Sequence, residues 1–378
     1  MASPRLSIGF PYVGDQIGGS GFSSLALAKA LIARGHDVRA LVHGEGAMKA
    51  ECEKAGLEIV ALPPLSSVST DARPDRFRPH HLTAIPGLAK VARGQKLDLL
   101  VANDLAILRS WALAAKLAGT PLIAHWRSNY KKSWSVDLGL RLSAKVICIS
   151  RYNMGDLPSW AQAKSVVEYN PVNAAYDLGA RQEARARIRA QMDLPADAKV
   201  IGVFGAHTVR KRTHVLADVL NAIPEVDGAP VFGLACGKRA EPYDTLLGEK
   251  IAAFGLEKRL LLPGFVRPAE DWMAACDVVL APAEREPFGR TAFEAALAGA
   301  PIVMSSDSGV SELITDGEDG YLVAPQDVPL WIERARTVLA DPTRAQAMAA
   351  KALAGLADYA PERHAERVEA IYRQVLGR

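Results

Sequence analysis

Two glutamates, Glu286 and Glu294, stand with seven residues between them in the stretch "EREPFGRTAFEAALAGAPIV" at 284–303. Glu286 precedes Pro287 and lies close to Gly289, where the missing Cβ lets a ligand approach backbone N–H groups. The helix expected from about 291 points its positive end at the same place. Phe288, Gly289, Arg290 and Thr291 form the lip of that loop. A ligand rich in hydroxyls, such as a sugar, would find a carboxylate acceptor and several amide donors together. The plain alternative is a loop carboxylate paired with Arg285 or Arg290, an interaction of small energetic weight. Glu294 also has two readings. Thr291-Ala-Phe-Glu294 fits the S/T-x-x-E capping box, which would satisfy the helix start and do nothing else. Otherwise Glu294 accepts from two adjacent hydroxyls, as on a ribose. Spacing leaves both readings open.

A second candidate group is "FGAHTVRKRTHVL" (204–216), with Arg210, Lys211 and Arg212 in a row. Cations at a helix start suit a diphosphate, although a solvated charge run is the usual fate of such triplets. The glycine-rich "GDQIGGSGFSS" (14–24) lacks the Lys-Ser/Thr of a P-loop and is weak evidence of phosphate contact by itself. "HWRSNYKKSW" (125–134) mixes basic and aromatic residues. It could hold an anionic acceptor, touch a membrane interface, or be an ordinary surface loop. His125 ends an apolar run, where an isolated histidine is more often structural than catalytic. There is no D-x-D triplet, H-E-x-x-H, G-x-S-x-G or Cys/His ligand spacing, so protein cations are expected to do the work of a bound metal.

These groups need elements to position them. A chain of 378 residues suggests two domains. Apolar residues at 49% and charged residues at 23% match a globular protein, and no run of eighteen uncharged apolar residues indicates a spanning helix. The N-terminus reads as a first strand, not a secretory signal. Four scattered cysteines suit a reducing compartment, so a cytoplasmic location is expected. The net charge of +3 is uneven: residues 1–175 carry 21 Lys+Arg against 13 Asp+Glu, and the rest 24 against 29. The basic first half could meet a phosphate-bearing substrate or an anionic membrane face, or be ordinary solvated surface.

Short apolar runs at 6–13, 36–42, 97–104, 121–126 and 144–150 alternate with helical periodicity at 22–35 and 105–118. The pattern restarts after a charged helix at 180–194, with runs at 198–205, 230–237, 259–265, 276–282 and 300–305. Alternation of this kind predicts two α/β, Rossmann-like domains with doubly wound parallel sheets, facing a central cleft. Asn170-Pro171 in "YNPVNAAYD" (169–177) marks the joint and a place for closure. The domains expected are 1–172 and 173–360, followed by an amphipathic helix over 361–378 that packs back on the first. In parallel sheets ligands bind beyond the carboxyl ends of the strands, so the loops at 14–21, 125–134, 206–213, 264–268 and 283–290 become the informative ones.

The residues 275–323, "ACDVVLAPAEREPFGRTAFEAALAGAPIVMSSDSGVSELITDGEDGYLV", strongly resemble the signature region of the family 4 retaining glycosyltransferases. "GG…LAKALIARGHDV", "VICIS", "VVEYNPVN", "GFV" and "IYRQVL" follow in the same order, so the resemblance runs along essentially the whole chain. It implies the GT-B fold and transfer of a hexose from a nucleotide-diphosphate sugar with retention, without a metal or other cofactor. The acceptor implied is a glycan or a lipid-linked glycan of cell-surface polysaccharide or glycolipid synthesis. Peripheral contact with the inner face of the membrane through the basic first domain is the matching expectation, with no nucleic-acid partner. On this pattern Glu286 contacts donor-sugar hydroxyls, Glu294 the ribose, and Lys211 the diphosphate. Phe288 and Gly289 line the sugar, Gly19 approaches the phosphates, and His125 lies near the transferred sugar. Phe265 and Val266, with the loop at 288–291, are expected to read the rest of the donor. One departure stands out: the family's Gly-Arg after the first strand of the second domain is Gly205-Ala206 here, leaving Arg210 or Arg212 to supply the second cation. A nucleotide-sugar epimerase of the same fold, or a non-catalytic nucleotide-sugar-binding protein, are the competing readings.

Overall fold

The computed structural model describes residues 4–15, 17–65, 80–172 and 178–378. The chain divides into one unit of Met1–Pro171 with Asp358–Arg378, and a second of Val172–Ala357. The return to the first unit begins at Asp358, just ahead of the last helix, Pro361–Leu376. Tyr359 packs edge-on against Tyr169, with ring centroids 5.9 Å apart, which ties this short approach segment to the first unit. Residues 173–177, most of the joint expected from the sequence, lie outside the described residues.

In the first unit the strands are β1 (Ser7–Val13), β2 (Asp37–His43), β3 (Glu58–Leu62), β4 (Leu99–Ala102), β5 (Leu122–Trp126), β6 (Lys145–Cys148) and β7 (Ser165–Val167). They form one parallel sheet in the order β3-β2-β1-β4-β5-β6-β7. The central strands are buried on both faces, which explains why β4 reads as the unbroken apolar run Leu-Leu-Val-Ala. The strand order reverses between β1 and β4. There the helix Leu105–Ala118 begins with Asp104 as its cap, whose carboxylate accepts from the Ile107 N–H at 2.8 Å.

The last helix, Pro361–Leu376, belongs to this unit. Its buried Ala365, Val368 and Tyr372 join Ile8, Phe10 and Leu27 in one apolar cluster. At its edge Glu369 accepts from Arg34 Nε at 2.6 Å and pairs with His36 Nε2 at 3.1 Å and Arg373 at 2.7 Å. Burial alone would raise this carboxyl; the three partners bring it down to about 2.

In the second unit the strands are β8 (Lys199–Phe204), β9 (Glu225–Val226), β10 (Ala229–Cys236), β11 (Leu260–Gly264), β12 (Val278–Ala281), β13 (Ile302–Ser305) and β14 (Tyr321–Val323). The parallel order is β11-β10-β8-β12-β13-β14, with β9 antiparallel on β10. Val203 of β8 sits beside Leu280 of β12. The order reverses between these two strands, so the loops leaving them open side by side at the carboxyl edge, where a ligand is received in such sheets. Both units are therefore doubly wound Rossmann-like α/β structures. Among the described residues no helix is long and apolar enough to cross a membrane.

Candidate functional site

The loop after β8 carries Arg210, Lys211 and Arg212, and the loop after β12 carries Glu284 and Glu286. The Glu284 N–H donates to the Arg210 carbonyl at 2.9 Å, which laces the two loops together. The three adjacent cations then part company. Arg210 Nη1 and Lys211 Nζ converge on one oxygen, Glu286 Oε2, at 2.5 and 2.8 Å. Arg212 adopts a left-handed conformation, φ +52°, and donates to Glu284 Oε1 at 2.6 Å, an oxygen that Gln326 also reaches. Arg210 and Lys211 are thus brought together, and Arg212 is turned aside as a brace between loops.

The segment after β13 holds Glu286 from below. Its N–H donates to the Asp307 carbonyl and its own carbonyl accepts from the Gly309 N–H, both at 3.0 Å. Burial would raise the Glu286 carboxyl, but Lys211 and then Arg210 outweigh it and keep the group below the usual carboxylate range. The carboxylate is ionised at neutral pH and can only accept hydrogen bonds. Gly289 has φ +106°, and a Cβ there would come 3.0 Å from Val310 Cγ1 and 3.5 Å from Glu286 Cγ, so both conformation and space call for glycine. Lys211, Glu286, Gly289, Thr291 and Ser308 line a pocket of about 370 Å³.

The capping-box reading of Thr291 and Glu294 is corrected. The helix Thr291–Ala298 already includes Thr291, Arg290 stands at the cap, and no side chain caps it. Glu294 pairs instead with Arg290 at 3.0 Å, one turn back along the helix. Phe288 is buried edge-on against Phe293. Phe265 follows β11 and is 71% exposed, with Val266 partly covered beside it. Ser308 and the Asp307 carbonyl were not singled out from sequence; their one signal is the polar run "SSDSG" after an apolar strand.

In the first unit, Gly19 opens the helix Gly19–Ala33, as the glycine-rich loop leads into it. His125 is fully buried at the end of β5 and, with Asp104, Trp126, Arg127 and Ser128, lines a pocket of about 200 Å³. Its Nδ1 lies 3.2 Å from Arg127 Nη2. A guanidinium can only donate, so Nδ1 accepts and the proton of the neutral ring sits on Nε2. Burial first, then Arg127 and His364, hold this imidazole neutral. His364, from the last helix, stacks at 6.1 Å, and Glu168 joins it at 3.0 Å. Sequence reading missed this pair because 196 residues separate its members.

Two family models match the chain: "Glycosyl transferase 4-like domain" over residues 18–167 and "Glycosyl transferases group 1" over 184–354. The lipopolysaccharide core biosynthesis mannosyltransferase LpsB of Rhizobium meliloti is 32% identical over 185 residues, 47% of this chain and 52% of that protein. A D-inositol 3-phosphate glycosyltransferase of Xylanimonas cellulosilytica is 30% identical over 198 residues, 52% of this chain and 47% of that one. The chain spans about half the length of these curated relatives. The crystal structure of Anabaena HepE in complex with UDP-glucose superposes with a TM-score of 0.82 over 98% of this chain and 100% of that one, at 23% identity. That likeness concerns the fold.

Proposed function

The chain belongs to the family 4 retaining glycosyltransferases of the GT-B fold, and on that premise we propose that it moves a hexose from a nucleotide-diphosphate sugar to a cell-surface glycan or lipid-linked acceptor, with retention and without a metal. The observation that carries this reading is the convergence of Arg210 and Lys211 on Glu286 at the β8/β12 reversal, bordering a pocket. The cations receive the diphosphate and steady the negative charge that grows on it as the glycosidic bond breaks. Glu286 accepts from hydroxyls of the sugar and Glu294 from those of the ribose. Exposed Phe265 lies on the base side. Ala206 alone would favour a protein that binds without transfer; Arg210 beside Lys211 on Glu286 supports transfer instead.

Thermal shift with UDP, GDP, ADP and dTDP in the presence of EDTA tests the donor site. A diphosphate at about a hundred times its dissociation constant adds roughly 2.7 kcal/mol. One of the four is expected to raise the melting temperature. No shift without metal would overturn metal-free donor binding. The corresponding nucleotide sugar, incubated with enzyme and acceptor, separates transfer from epimerisation, which needs no acceptor.

The acceptor belongs to the first unit in this reading. Lys131, Lys132, Trp134 and Leu138 are exposed, the last two one turn apart on the helix Trp134–Leu142. Apolar side chains flanked by lysines suit the interface of an anionic bilayer. Co-sedimentation with phosphatidylglycerol vesicles is expected to fall by well over tenfold in Lys131→Glu/Lys132→Glu, at about 1 kcal/mol per charge. Equal binding to phosphatidylcholine vesicles would remove the electrostatic account.

A further inference from the structure

We propose that Glu286 is a resident counter-ion at the diphosphate subsite, competing with the departing nucleoside diphosphate for Arg210 and Lys211, and that Arg210, not Arg212, is the second cation of that subsite. This rests on the donor-binding reading above. Both cations meet the same oxygen, Oε2, at 2.5 and 2.8 Å. The Glu286 side chain is only 14% exposed, so water screens the group weakly. One carboxylate against two cations leaves a local surplus of one positive charge. That surplus attracts a polyanion, but the carboxylate opposes close approach of the phosphate oxygens.

The other oxygen, Oε1, accepts no hydrogen bond among the described residues, while the side chain borders the pocket. An intact nucleotide sugar can offset the repulsion by donating hydroxyls to this carboxylate. A bare nucleoside diphosphate has no such hydroxyls and feels the repulsion alone. Glu286 thereby favours the donor over its own by-product and speeds the exit of the by-product. Arg212 is held by Glu284 Oε1 at 2.6 Å in a left-handed backbone conformation, with its side chain 12% exposed. It would have to leave that pair to serve the subsite.

Isothermal titration of the whole protein with UDP, and then with GDP, ADP and dTDP, tests this. Glu286→Gln keeps the side-chain shape and removes the charge. It is expected to tighten binding of the nucleoside diphosphate about tenfold or more while weakening the intact nucleotide sugar relative to it. Arg210→Ala is expected to weaken diphosphate binding about tenfold or more, and Arg212→Ala by less, with a lowered melting temperature from the lost brace. If Glu286→Gln does not fold, Glu286→Asp, which retracts the carboxylate, is expected to move affinity in the same direction by a smaller factor. Wild-type binding with unchanged or weaker diphosphate affinity in a folded Glu286 variant overturns the counter-ion role. A loss in Arg212→Ala equal to that in Arg210→Ala overturns the assignment of the cation. If the wild-type protein binds none of the four, the donor-site reading fails first and takes this inference with it.

Discussion

Lys211→Ala is expected to lower turnover by about a hundredfold or more and to leave the fold intact. The estimate follows from the charge the lysine meets. In an acyl- or glycosyl-transfer site, one preorganised donor aimed at developing negative charge is worth about 3 kcal/mol, or roughly two decades of rate. The structural cost of the change is small because Glu286 keeps Arg210 at 2.5 Å, so no buried carboxylate is stranded. The lysine side chain is also 24% exposed, which limits what its ion pair adds to stability. Glu286→Ala is the less clean experiment, since it leaves two cations side by side with no counter-charge. Initial rates with the nucleotide sugar identified by thermal shift give the decisive pattern. A fall in kcat and kcat/KM together marks an interaction made in the transition state; a rise in KM alone marks plain ground-state binding. Unchanged kcat would sink the assignment of Lys211 to the departing diphosphate.

The frame of this site was legible because parallel strands covered on both faces need continuous apolar runs. Ile8, Leu99, Val200 and Val279 stand in such runs, and the strands fall where those runs lie. The strands that went unread, Glu58–Leu62, Ser165–Val167, Glu225–Val226 and Tyr321–Val323, lie at sheet edges or, for Glu225–Val226, off the main sheet, where short or half-exposed segments lose the signal. Side-chain direction is a different matter. Nothing in "RKR" says that the first two cations turn to one carboxylate and the third to another. The left-handed residue at Arg212 decides it, and that conformation is set by the loops it ties together. The capping box failed for a related reason: the helix starts one residue before the motif requires, and Arg290 claims Glu294. Glu168 with His364 was beyond reach, since the pairing exists only after the last helix has packed on the first sheet.

That buried histidine chemistry carries the second large effect: the first unit is expected to lose up to about 3 kcal/mol of stability between pH 7.5 and 5.5, and the second unit less. His43, His125 and His364 are all held below the ordinary imidazole range, chiefly by burial. At His43 the reason is visible in the bonds. Trp111 can only donate, so its 3.0 Å bond requires His43 Nε2 to accept, and Nδ1 donates to the Pro63 carbonyl at 2.8 Å. Protonation of His43 would break the bond to a fully buried tryptophan. At His125 an added proton would face Arg127, and at His364 burial outweighs Glu168. The unfolded chain protonates these rings near pH 6.5 and the folded unit only at lower pH, so stability is full above pH 6.5 and falls below it, by up to about 1.4 kcal/mol per ring per pH unit. Three rings give at most about 4 kcal/mol by pH 5.5. Asp104 works the other way: burial raises its carboxyl to about 6, so the folded unit gains a proton there as pH falls. With its pKa at about 6 that carboxyl is only part-way through its titration at pH 5.5, which holds the offset to under about 1 kcal/mol. Glu168 and Glu369 are depressed and lose their contributions only below the ordinary carboxylate range, outside this window. In the second unit His214 is the one histidine held low among the described residues, which gives at most about a third of the effect. The fall in melting temperature for the first unit is expected to reach at most about 6–12 °C. Hydrogen exchange at Leu99–Ala102 and at Lys199–Phe204 follows the two units separately. Protection that stays flat from pH 7.5 to 5.5 in the first of these strands, after correction for intrinsic exchange, would show that the imidazoles titrate normally in the folded protein.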